Sequence, residues 1–547
     1  MRSSLAPGPS RRQVLIGGMG LAAVAGVVGP AAIPSPAASF RHHRFQHGVA
    51  SGDPLPGAVV IWTRVSPTLD ARPGSGLGDP VEVTWEVSTD EDFTRIVRSG
   101  VVTTDVRSDH TVKIDVDGLL PGRSYLYRFV SGPDVSPVGR TRTAPAPGAI
   151  PARLRFGVVS CSNWQAGWFS AYRHLAERGD LDAVVHLGDY LYEYQPGKYT
   201  HGHDWDDVRH HEPPHETVTL ADYRVRHAQY KTDPDLQALH AAVPFVVTWD
   251  DHEVADGWFP GGAFEHQPDE GSFEDRRWAA QRAYDEWMPV RLSGTAVAGD
   301  GADIHRHLQF GDLADLTMLD LRGHRDQRLE VDDPRTHAAD RSLTGPAQHA
   351  WLVDTLRTST ARWKLVGNPV MIAPMLMPPR PSAEEIAVRR TTDPMAWGPA
   401  QPNTDTWDGY PADRRRLLEA IGADDVDGVV FLSGDVHTAW ANEVEGADGR
   451  PVAAEFVCAS VTSNNVDDFM GTSPRTVSLA MEEAIVTLNP HVRFVNLDDH
   501  GYCVLEVTPE RLLMEWWAIS DRTDPGAGTR RLAARALRPG SARILTV

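Results

Sequence analysis

The spacing of hydrophobic positions changes once along the chain, close to residue 145. Across residues 45–143, apolar residues recur at every second position in short runs separated by Pro, Gly and Asp. This period is typical of half-buried strands joined by tight turns. We therefore predict an all-β sandwich of immunoglobulin or fibronectin type III character over residues 40–145. It has no evident catalytic cluster, so we interpret it as a packing or positioning module, with a ligand-binding module as the alternative.

After a Pro-rich hinge at 143–151, apolar strand-like runs alternate with longer helix-like stretches. The runs include R-L-R-F-G-V-V, D-A-V-V-H-L and D-G-V-V-F-L-S, and the helix-like stretches cover 220–240, 273–287, 345–358 and 412–421. Such alternation predicts an α/β domain with ligands at the carboxyl ends of its strands. We place this domain at 152–530 and expect the Arg- and Ala-rich residues 531–547 to form a C-terminal tail that docks or stays loose.

Four of the strand-like runs end directly in residues that can bind a metal ion. One of them, V-P-F-V-V-T at 243–248, is typical of an interior strand and precedes four ionisable residues in succession. The candidates at the four ends are, in chain order, Cys161, Asp189, Asp250, Asp251, His252, Glu253, Asp435 and His437. If the strands are neighbours, these side chains meet at one edge of the sheet.

The first forty residues carry arginines but no acidic residue. The pair Arg11-Arg12 precedes an apolar stretch at 14–33, and S-P-A at 35–37 offers a small-x-small cleavage site. This pattern predicts a twin-arginine secretion signal over residues 1–38. A membrane anchor is the alternative, but five glycines make the stretch weakly hydrophobic and short for a span. We therefore expect no stable membrane anchor.

The chain is acidic, with 74 Asp and Glu against 53 Lys and Arg and a formal net charge of -21. Loss of the three arginines in residues 1–38 makes this -24. Such a field argues against a nucleic-acid partner, and an anionic substrate would need local positive charge, which metal cations supply. The three cysteines, Cys161, Cys458 and Cys503, are too few for a disulfide framework in an exported protein. Metal ligation is one reason to retain an odd cysteine.

Residues 196–216 form a long polar insertion without regular spacing of its histidines. These are His201, His203, His210, His211 and His215. Loose histidines of this kind are typical of a solvated loop, and the alternative is a rim over the site.

The order of the strand ends, G-D, then D-H-E, then G-D-x-H, resembles that of calcineurin-like binuclear metallophosphoesterases. Those enzymes usually have Asp-x-His at the first strand end and Gly-Asn-His at the third, where S-C and D-D-H stand here. The departures match a narrower group, and the chain is identified as a member of the PhoD-type alkaline phosphatases. The motifs that carry the resemblance span nearly the whole chain: F-Q-H-G-V-A-S-G-D-P, V-I-W-T-R, H-L-G-D-Y-L-Y-E, L-A-D-Y-R-V-R-H-A-Q-Y, W-D-D-H-E, D-L-R-G-H-R, W-D-G-Y and G-D-V-H-T.

The resemblance implies a layered α/β/β/α catalytic domain that holds one Fe³⁺ and two Ca²⁺ ions. The implied iron ligands are Cys161, Asp189, Tyr223 and His437, with Asp189 bridging to calcium, and the implied calcium ligands are Asp250, Asp251 and Asp435. This division suits the donors, because Ca²⁺ takes oxygen ligands whereas Fe³⁺ also accepts thiolate, phenolate and imidazole. Family members often have Asn where Asp250 stands, so this site carries one extra negative charge.

Several of these residues also have a plain structural interpretation. Cys161 alone would indicate an inert buried thiol, and only its place at a strand end favours a ligand. Tyr223 lies in a helix-like stretch and has a core residue as its alternative. Glu253 is predicted to support the ligands from behind. Cys458 and Cys503 are predicted to be core residues.

The implied activity is the hydrolysis of phosphate mono- and diesters by a secreted alkaline phosphatase. His252 is the candidate to contact the phosphate or protonate the leaving group. Arg226 and Arg325 are candidates for a further cationic contact. The family is typically exported by the twin-arginine machinery as a folded, metal-loaded enzyme. The alternatives are a phospholipase D-like phosphodiesterase of the same family and a non-enzymatic envelope-binding protein with structural metals.

Overall fold

The computed structural model describes residues 44–200, 207–292, 303–330, 333–375, 403–423 and 426–547. The secretion signal predicted for 1–38 lies outside these ranges, as do His201 and His203 of the polar insertion. Within the described ranges, no helix combines the length and the apolar composition needed to cross a membrane.

The described helices are α1 Ser170–Arg178, α2 Leu220–Tyr230, α3 Pro234–Ala242, α4 Phe273–Trp287, α5 Pro346–Thr358, α6 Pro411–Ala423, α7 Val466–Met470 and α8 Ser478–Leu488. The strands are β1 Val49–Gly52, β2 Val59–Arg64, β3 Val81–Ser88, β4 Ile96–Thr104, β5 Thr111–Val116, β6 Ser124–Ser131, β7 Asp134–Val135, β8 Gly139–Arg142, β9 Leu154–Val159, β10 Ala183–His186 and β11 Phe245–Val247. They continue with β12 Arg306–Phe310, β13 Ala314–Met318, β14 Trp363–Gly367, β15 Val429–Ser433, β16 Ala439–Glu445, β17 Pro451–Val457, β18 Val492–Asn496, β19 Gly501–Val507, β20 Leu512–Ile519, β21 Thr529–Leu537 and β22 Leu545–Thr546.

Two large sheets pack face to face and form the centre of the fold. One has ten strands in the order β22-β21-β20-β19-β9-β10-β11-β1-β2-β5, and the other has seven in the order β12-β13-β14-β15-β17-β16-β18. Apolar side chains of both sheets, such as Phe156 and Leu316, form the core between them. Helices α1 to α4 cover the outer face of the first sheet, and α5 and α6 cover that of the second. This α/β/β/α layering confirms the predicted fold class.

The all-β region predicted for 40–145 is present, but its strands divide between two sheets. Strands β3, β4, β6, β7 and β8 form a small antiparallel sheet. Strands β1, β2 and β5 instead extend the ten-stranded sheet, where Gly52 of β1 pairs in parallel with Phe245 of β11. The backbone N–H of Leu120 donates to the Tyr125 hydroxyl at 2.9 Å, as expected of a tyrosine corner. The N-terminal region therefore contributes three strands to the ten-stranded sheet.

Two predicted boundaries differ from the structure for clear local reasons. The helix predicted at 220–240 is two helices, because Pro234 lacks a backbone N–H and Asp233 caps α3 by accepting from the N–H groups of Asp235 and Leu236. The expected tail at 531–547 begins inside β21, which pairs along β20 and is itself paired by β22. Ala534 and Ala536 are buried there, so small side chains mark a packed strand.

Candidate active site

The loops that follow β9, β10, β11 and β15 bring most of the predicted ligands together. The three strands β9, β10 and β11 are adjacent and parallel, so their carboxyl ends lie at one edge of the sheet. Ligand atoms of Cys161, Asp189 and His437 lie within 4.8 Å of one another. The same holds for Asp250, Asp251 and Asp435, and for the connecting group Asp189, Asp251 and His252. The structure therefore places two candidate metal groups side by side.

The backbone at these strand ends adopts a conformation that non-glycine residues rarely take. Cys161, Asp189, Asp435 and His437 have φ values of 60°, 52°, 64° and 59°. A left-handed conformation costs about 1–2 kcal/mol for such residues, and it clusters at functional sites. Gly188 is required before Asp189, since a Cβ there would lie 2.5 Å from the Cβ of Asp250. The tight turns aim the donor atoms into a shared space.

The hydroxyl of Tyr223 does not lie with the other expected iron ligands. It donates to the carbonyl of Val254 at 2.5 Å and accepts from Nε of Arg276 at 3.1 Å. Both hydrogen bonds of the Tyr223 hydroxyl are therefore made to protein groups, and Arg276 belongs to helix α4. This agrees with the alternative interpretation of Tyr223 as a core residue. The expectation that Tyr223 is an iron ligand is therefore corrected.

Tyr192 supplies the phenol that stands beside the first metal group. Its hydroxyl donates to Oδ2 of Asp189 at 3.2 Å, lies 3.3 Å from Nε2 of His437, and accepts from the Ser463 hydroxyl at 2.6 Å. Sequence reasoning missed it, although it lies three residues after Asp189 in the H-L-G-D-Y-L-Y-E motif. The sequence signal for Tyr192 was its place close to the candidate ligand Asp189 in the loop that follows a buried strand.

A fully buried arginine lies among the acids of the second metal group. Nε of Arg322 is 2.5 Å from Oδ1 of Asp250, and its Nη2 is 3.1 Å from Oδ1 of Asp435. Its Nη1 also pairs with Asp405, a buried acid that the sequence did not single out. Burial alone raises the pKa of Asp251, but Arg322 and His252 outweigh it and the pKa is lowered. Arg322 therefore favours the ionised form of Asp251.

Burial disfavours the charged forms of several candidate ligands at the site. Burial raises the pKa of Asp189, of Asp435 and of the Cys161 thiol well above their usual values. Buried acids of this kind are costly unless cations accompany them, and a coordinating thiol loses its proton to a metal. The donor set therefore fits bound cations, with sulfur, phenol and imidazole in one group and only oxygen in the other.

His252 is held by a buried carboxylate that the sequence did not single out. Its Nδ1 lies 2.8 Å from Oε2 of Glu193, and Oε1 of Glu193 accepts the backbone N–H of Asp256 at 2.6 Å. The imidazole stacks on Tyr192 with ring centroids 4.1 Å apart. Burial by itself lowers the pKa of His252, but the nearby carboxylates of Glu193 and Asp251 raise this pKa well above its usual value. Nε2 remains as the nitrogen that can act on a bound group.

Glu253 lies behind the candidate ligands and ties two strand ends together. Its carboxylate accepts the backbone N–H groups of Asp189, Tyr190 and Asp250 at 3.1, 2.6 and 2.8 Å. This arrangement agrees with a supporting position. Cys458 and Cys503 lie in the apolar core between the large sheets, which confirms their predicted place.

Neither arginine proposed as an extra cationic contact lines the cavity above the site. Arg226 donates through Nε to the carbonyl of Glu212, and Arg325 through Nη1 to Asp405 at 2.7 Å. The cavity has a volume of about 270 Å³ and a third arginine, Arg328, at its edge. Its other walls include Asp189, Tyr194, Tyr199, Asp251, His252, Asp405, Asp435, His437 and Phe469.

The described histidines of the polar insertion are tied to neighbouring protein groups. His210 and His215 pair with Asp207 and Asp222, and buried His211 lies 2.9 Å from the carbonyl of Tyr194. Tyr199, from the same insertion, lines the cavity. The insertion therefore contributes part of the rim through a tyrosine.

Comparison with known proteins agrees with this geometry. A family model of the PhoD-like phosphatases matches residues 156–516, and one of the PhoD-like phosphatase N-terminal domain matches residues 31–145. The chain is 38% identical over 501 residues to alkaline phosphatase D of Bacillus subtilis, covering 90% of this chain and 80% of that protein. It superposes on a solved structure described as "Structure of PhoD" with a TM-score of 0.81 and 35% identity over 93% of each chain. The chain therefore belongs to the PhoD-like phosphatase family and is a hydrolase of the alkaline phosphatase type.

Proposed function

We propose that the protein is an exported, metal-dependent alkaline phosphatase that releases phosphate from mono- and diesters. The observation that supports this most strongly is the pair of adjoining donor groups of different chemistry beneath one small cavity. Alkaline phosphatase D of Bacillus subtilis supports the reaction class by its name and similarity. Membership of this family favours an enzyme over the non-enzymatic envelope-binding alternative.

The proposed cofactors are one Fe³⁺ and two Ca²⁺ ions. Cys161, Asp189, Tyr192 and His437 would hold the iron, with Tyr192 in place of Tyr223. Asp250, Asp251 and Asp435 would hold calcium, and Asp189 would join the two groups. When bound, these ions supply the positive charge that neutralises the oxygens of the transferring phosphoryl group.

The protein's own residues orient the ester and move one proton. His252, with its Nδ1 held by Glu193, presents Nε2 to protonate the leaving alcohol oxygen. Arg322 fixes the directions of Asp250 and Asp435, so the donor geometry exists before substrate arrives. Arg328 at the cavity edge is placed to contact a negatively charged oxygen of an incoming ester.

The proposed location is outside the cytoplasm, after export by the twin-arginine machinery. This rests on the arginine pair, the apolar stretch and the cleavage site within residues 1–38. Export of a folded chain would let the buried metal groups be filled before translocation.

A phospholipase D-like phosphodiesterase is the second candidate. Phe469 lines the cavity and is 59% exposed, so the apolar alcohol portion of a diester substrate could pack against its ring. Turnover of a monoester, a diester and phosphatidylcholine by one preparation separates the two activities. Preference for phosphatidylcholine, lost on Phe469→Ser while p-nitrophenyl phosphate turnover is kept, would favour the second candidate.

The proposed function is tested on protein purified from a host that exports it folded. We expect iron and calcium in a ratio near one to two, hydrolysis of p-nitrophenyl phosphate at alkaline pH, and loss of activity on exhaustive calcium chelation. Tyr192→Phe should remove the visible charge-transfer band of ferric iron, whereas the matched control Tyr223→Phe should keep it. Activity that survives chelation, or a band that responds to Tyr223→Phe alone, would contradict the assignment.

A further inference from the structure

A further group of side chains that can bind a metal ion lies outside the candidate active site. It stands where the chain enters β12 and where the loop after β13 passes close by. Ligand atoms of Asp303, His305 and His324 lie within 4.8 Å of one another. Oδ2 of Asp320 lies 3.9 Å from Nε2 of His324 and adds a fourth donor, the second carboxylate oxygen of the group. These residues do not line the 270 Å³ cavity.

The two imidazoles of this group are positioned by packing around one carboxylate. The His305 ring packs against Trp351 of α5 with ring centroids 4.6 Å apart. The centroids of the His305 and His324 rings are 5.8 Å apart, with an angle of 71° between the ring planes. Oδ1 of Asp303 contacts Nδ1 of His305 and lies 3.9 Å from Nε2 of His324. A separation of 3.9 Å is too long for a hydrogen bond. Ligand atoms around a tetrahedral ion with bonds of about 2.0–2.1 Å lie about 3.3–3.4 Å apart, so the partly exposed His324 side chain would move in by about 0.5 Å on binding.

The donor chemistry selects a class of ion. Two imidazoles with one or two carboxylates suit Zn²⁺ and similar transition metals, whereas Ca²⁺ takes oxygen donors alone. The side chains of His324 and Asp303 are 37% and 33% exposed. An ion could therefore enter from solvent and keep a water ligand.

The group is connected to the active site through one turn. Oδ1 of Asp320 accepts the backbone N–H groups of Arg322 and Gly323 at 3.0 and 2.7 Å, which leaves Oδ2 toward His324. Arg322 is the arginine that pairs with Asp250 and Asp435. An ion bound to His324 and Asp320 would therefore stiffen the turn that carries this arginine.

We propose that Asp303, His305 and His324, together with Asp320, form a second metal site for a divalent transition-metal ion such as Zn²⁺. This site is separate from the catalytic ions, and its ion braces the turn that holds Arg322. It goes beyond the proposed phosphatase activity, and its binding can be measured without turnover.

The test is a calorimetric Zn²⁺ titration of the metal-loaded protein in calcium-containing buffer. We expect one further equivalent to bind the unaltered protein and to raise its Tm. The pair His305→Gln and His324→Gln should weaken this binding at least tenfold and abolish the Tm shift, with iron and calcium contents kept. The control His210→Gln alters an exposed histidine that pairs with Asp207 and should bind Zn²⁺ normally.

A second readout covers the case in which the double variant fails to fold. Co²⁺ replaces Zn²⁺ in such sites, and we expect visible d–d bands in the unaltered protein that change on His305→Gln alone. No additional equivalent in the unaltered protein, equal binding by the variants, or loss of iron together with Zn²⁺ would overturn the proposal. In the first two outcomes the cluster is only a histidine–aspartate ion pair.

Discussion

Two clusters of buried ionisable groups flank the ten-stranded sheet, and the protein stabilises them in opposite ways. The candidate metal centre collects acids at the ends of β9 to β11, with Arg322 buried among them. The other, which we call the base cluster, consists of Lys231, His186, His227 and His240 between the sheet and helices α2 and α3. Arg322 stabilises the charged form of an acid in the first cluster, whereas burial disfavours the charged forms in the second.

Burial disfavours the charged forms of the residues in the base cluster. Lys231 donates to the Tyr190 hydroxyl at 2.8 Å and lies 4.5 Å from the centre of that ring. Burial lowers the pKa of Lys231 well below its usual value and that of His186 to about 3. The acids of the candidate metal centre line a cavity, so convergence on a cavity, rather than burial alone, marks the candidate site here.

The largest expected effect comes from removing the arginine of the metal centre. Arg322→Gln should lower the free energy of unfolding by about 3–5 kcal/mol, because Asp250 and Asp435 lose their buried partner and Asp405 keeps only Arg325. Urea denaturation of the metal-loaded variant measures this loss of stability. Added calcium should raise the free energy of unfolding more in the variant than in the unaltered protein. Arg328→Gln at the cavity edge is the matched control, with a change within about 0.5 kcal/mol. Equal losses in both variants would mean that Arg322 does not balance the acids.

A smaller effect is expected from the carboxylate behind His252. Glu193→Gln should lower kcat about 10- to 100-fold with little change in KM, because the imidazole loses the partner that orients it and favours its charged form. Steady-state kinetics on p-nitrophenyl phosphate, together with iron content, measure this. Glu177→Gln, at an exposed carboxylate, serves as the control. A rise in KM with kcat unchanged would instead assign Glu193 to substrate binding.

The smallest effect concerns the pH dependence of the base cluster. Burial lowers the pKa of His227, whose two ring nitrogens have no hydrogen-bond partner among the described residues. The unfolded chain therefore binds a proton below about pH 6.5 that the folded protein does not, so stability falls as the pH drops. His227→Leu should reduce this fall by at most about 1.4 kcal/mol per pH unit.

Urea midpoints from pH 7.5 to 5 measure this slope. His210→Leu, at an exposed position, should leave it unchanged, and the difference between the two variants cancels any contribution from metal release. An identical slope in both variants would show that His227 accepts its proton in the folded state, and the contrast between the two clusters would weaken.

Much of the architecture follows from local patterns in the sequence. Period-two runs predicted the strands before residue 145, and the alternation after the hinge predicted an α/β domain, whose layering was implied by the family resemblance. The helix predicted at 273–287 coincides with α4, because a polar face, an apolar face and a capping serine all lie within one segment. The candidate ligands at the strand ends could also be predicted, since an apolar strand followed directly by acids or histidine is a local signal.

Other features depended on residues that are far apart in the chain. Tyr192 and Tyr223 both lie in family motifs, and only the path of α2 directs Tyr223 to Val254 and Arg276. Arg322 meets Asp250 and Asp405 across 72 and 83 residues, and Glu193 meets His252 across 59. The entry of β1, β2 and β5 into the catalytic sheet likewise depends on the pairing of β1 with β11.

The sequence alone therefore determined the order of the elements and most of the metal-ligand candidates, because propensity, periodicity and strand ends are properties of short segments. Tertiary structure decided which phenol stands beside the first candidate metal group, which arginine pairs with the acids and which carboxylate holds His252. The physical reason is that a buried charge is stabilised by whichever group packing brings within hydrogen-bond distance. Spacing along the chain does not specify that partner.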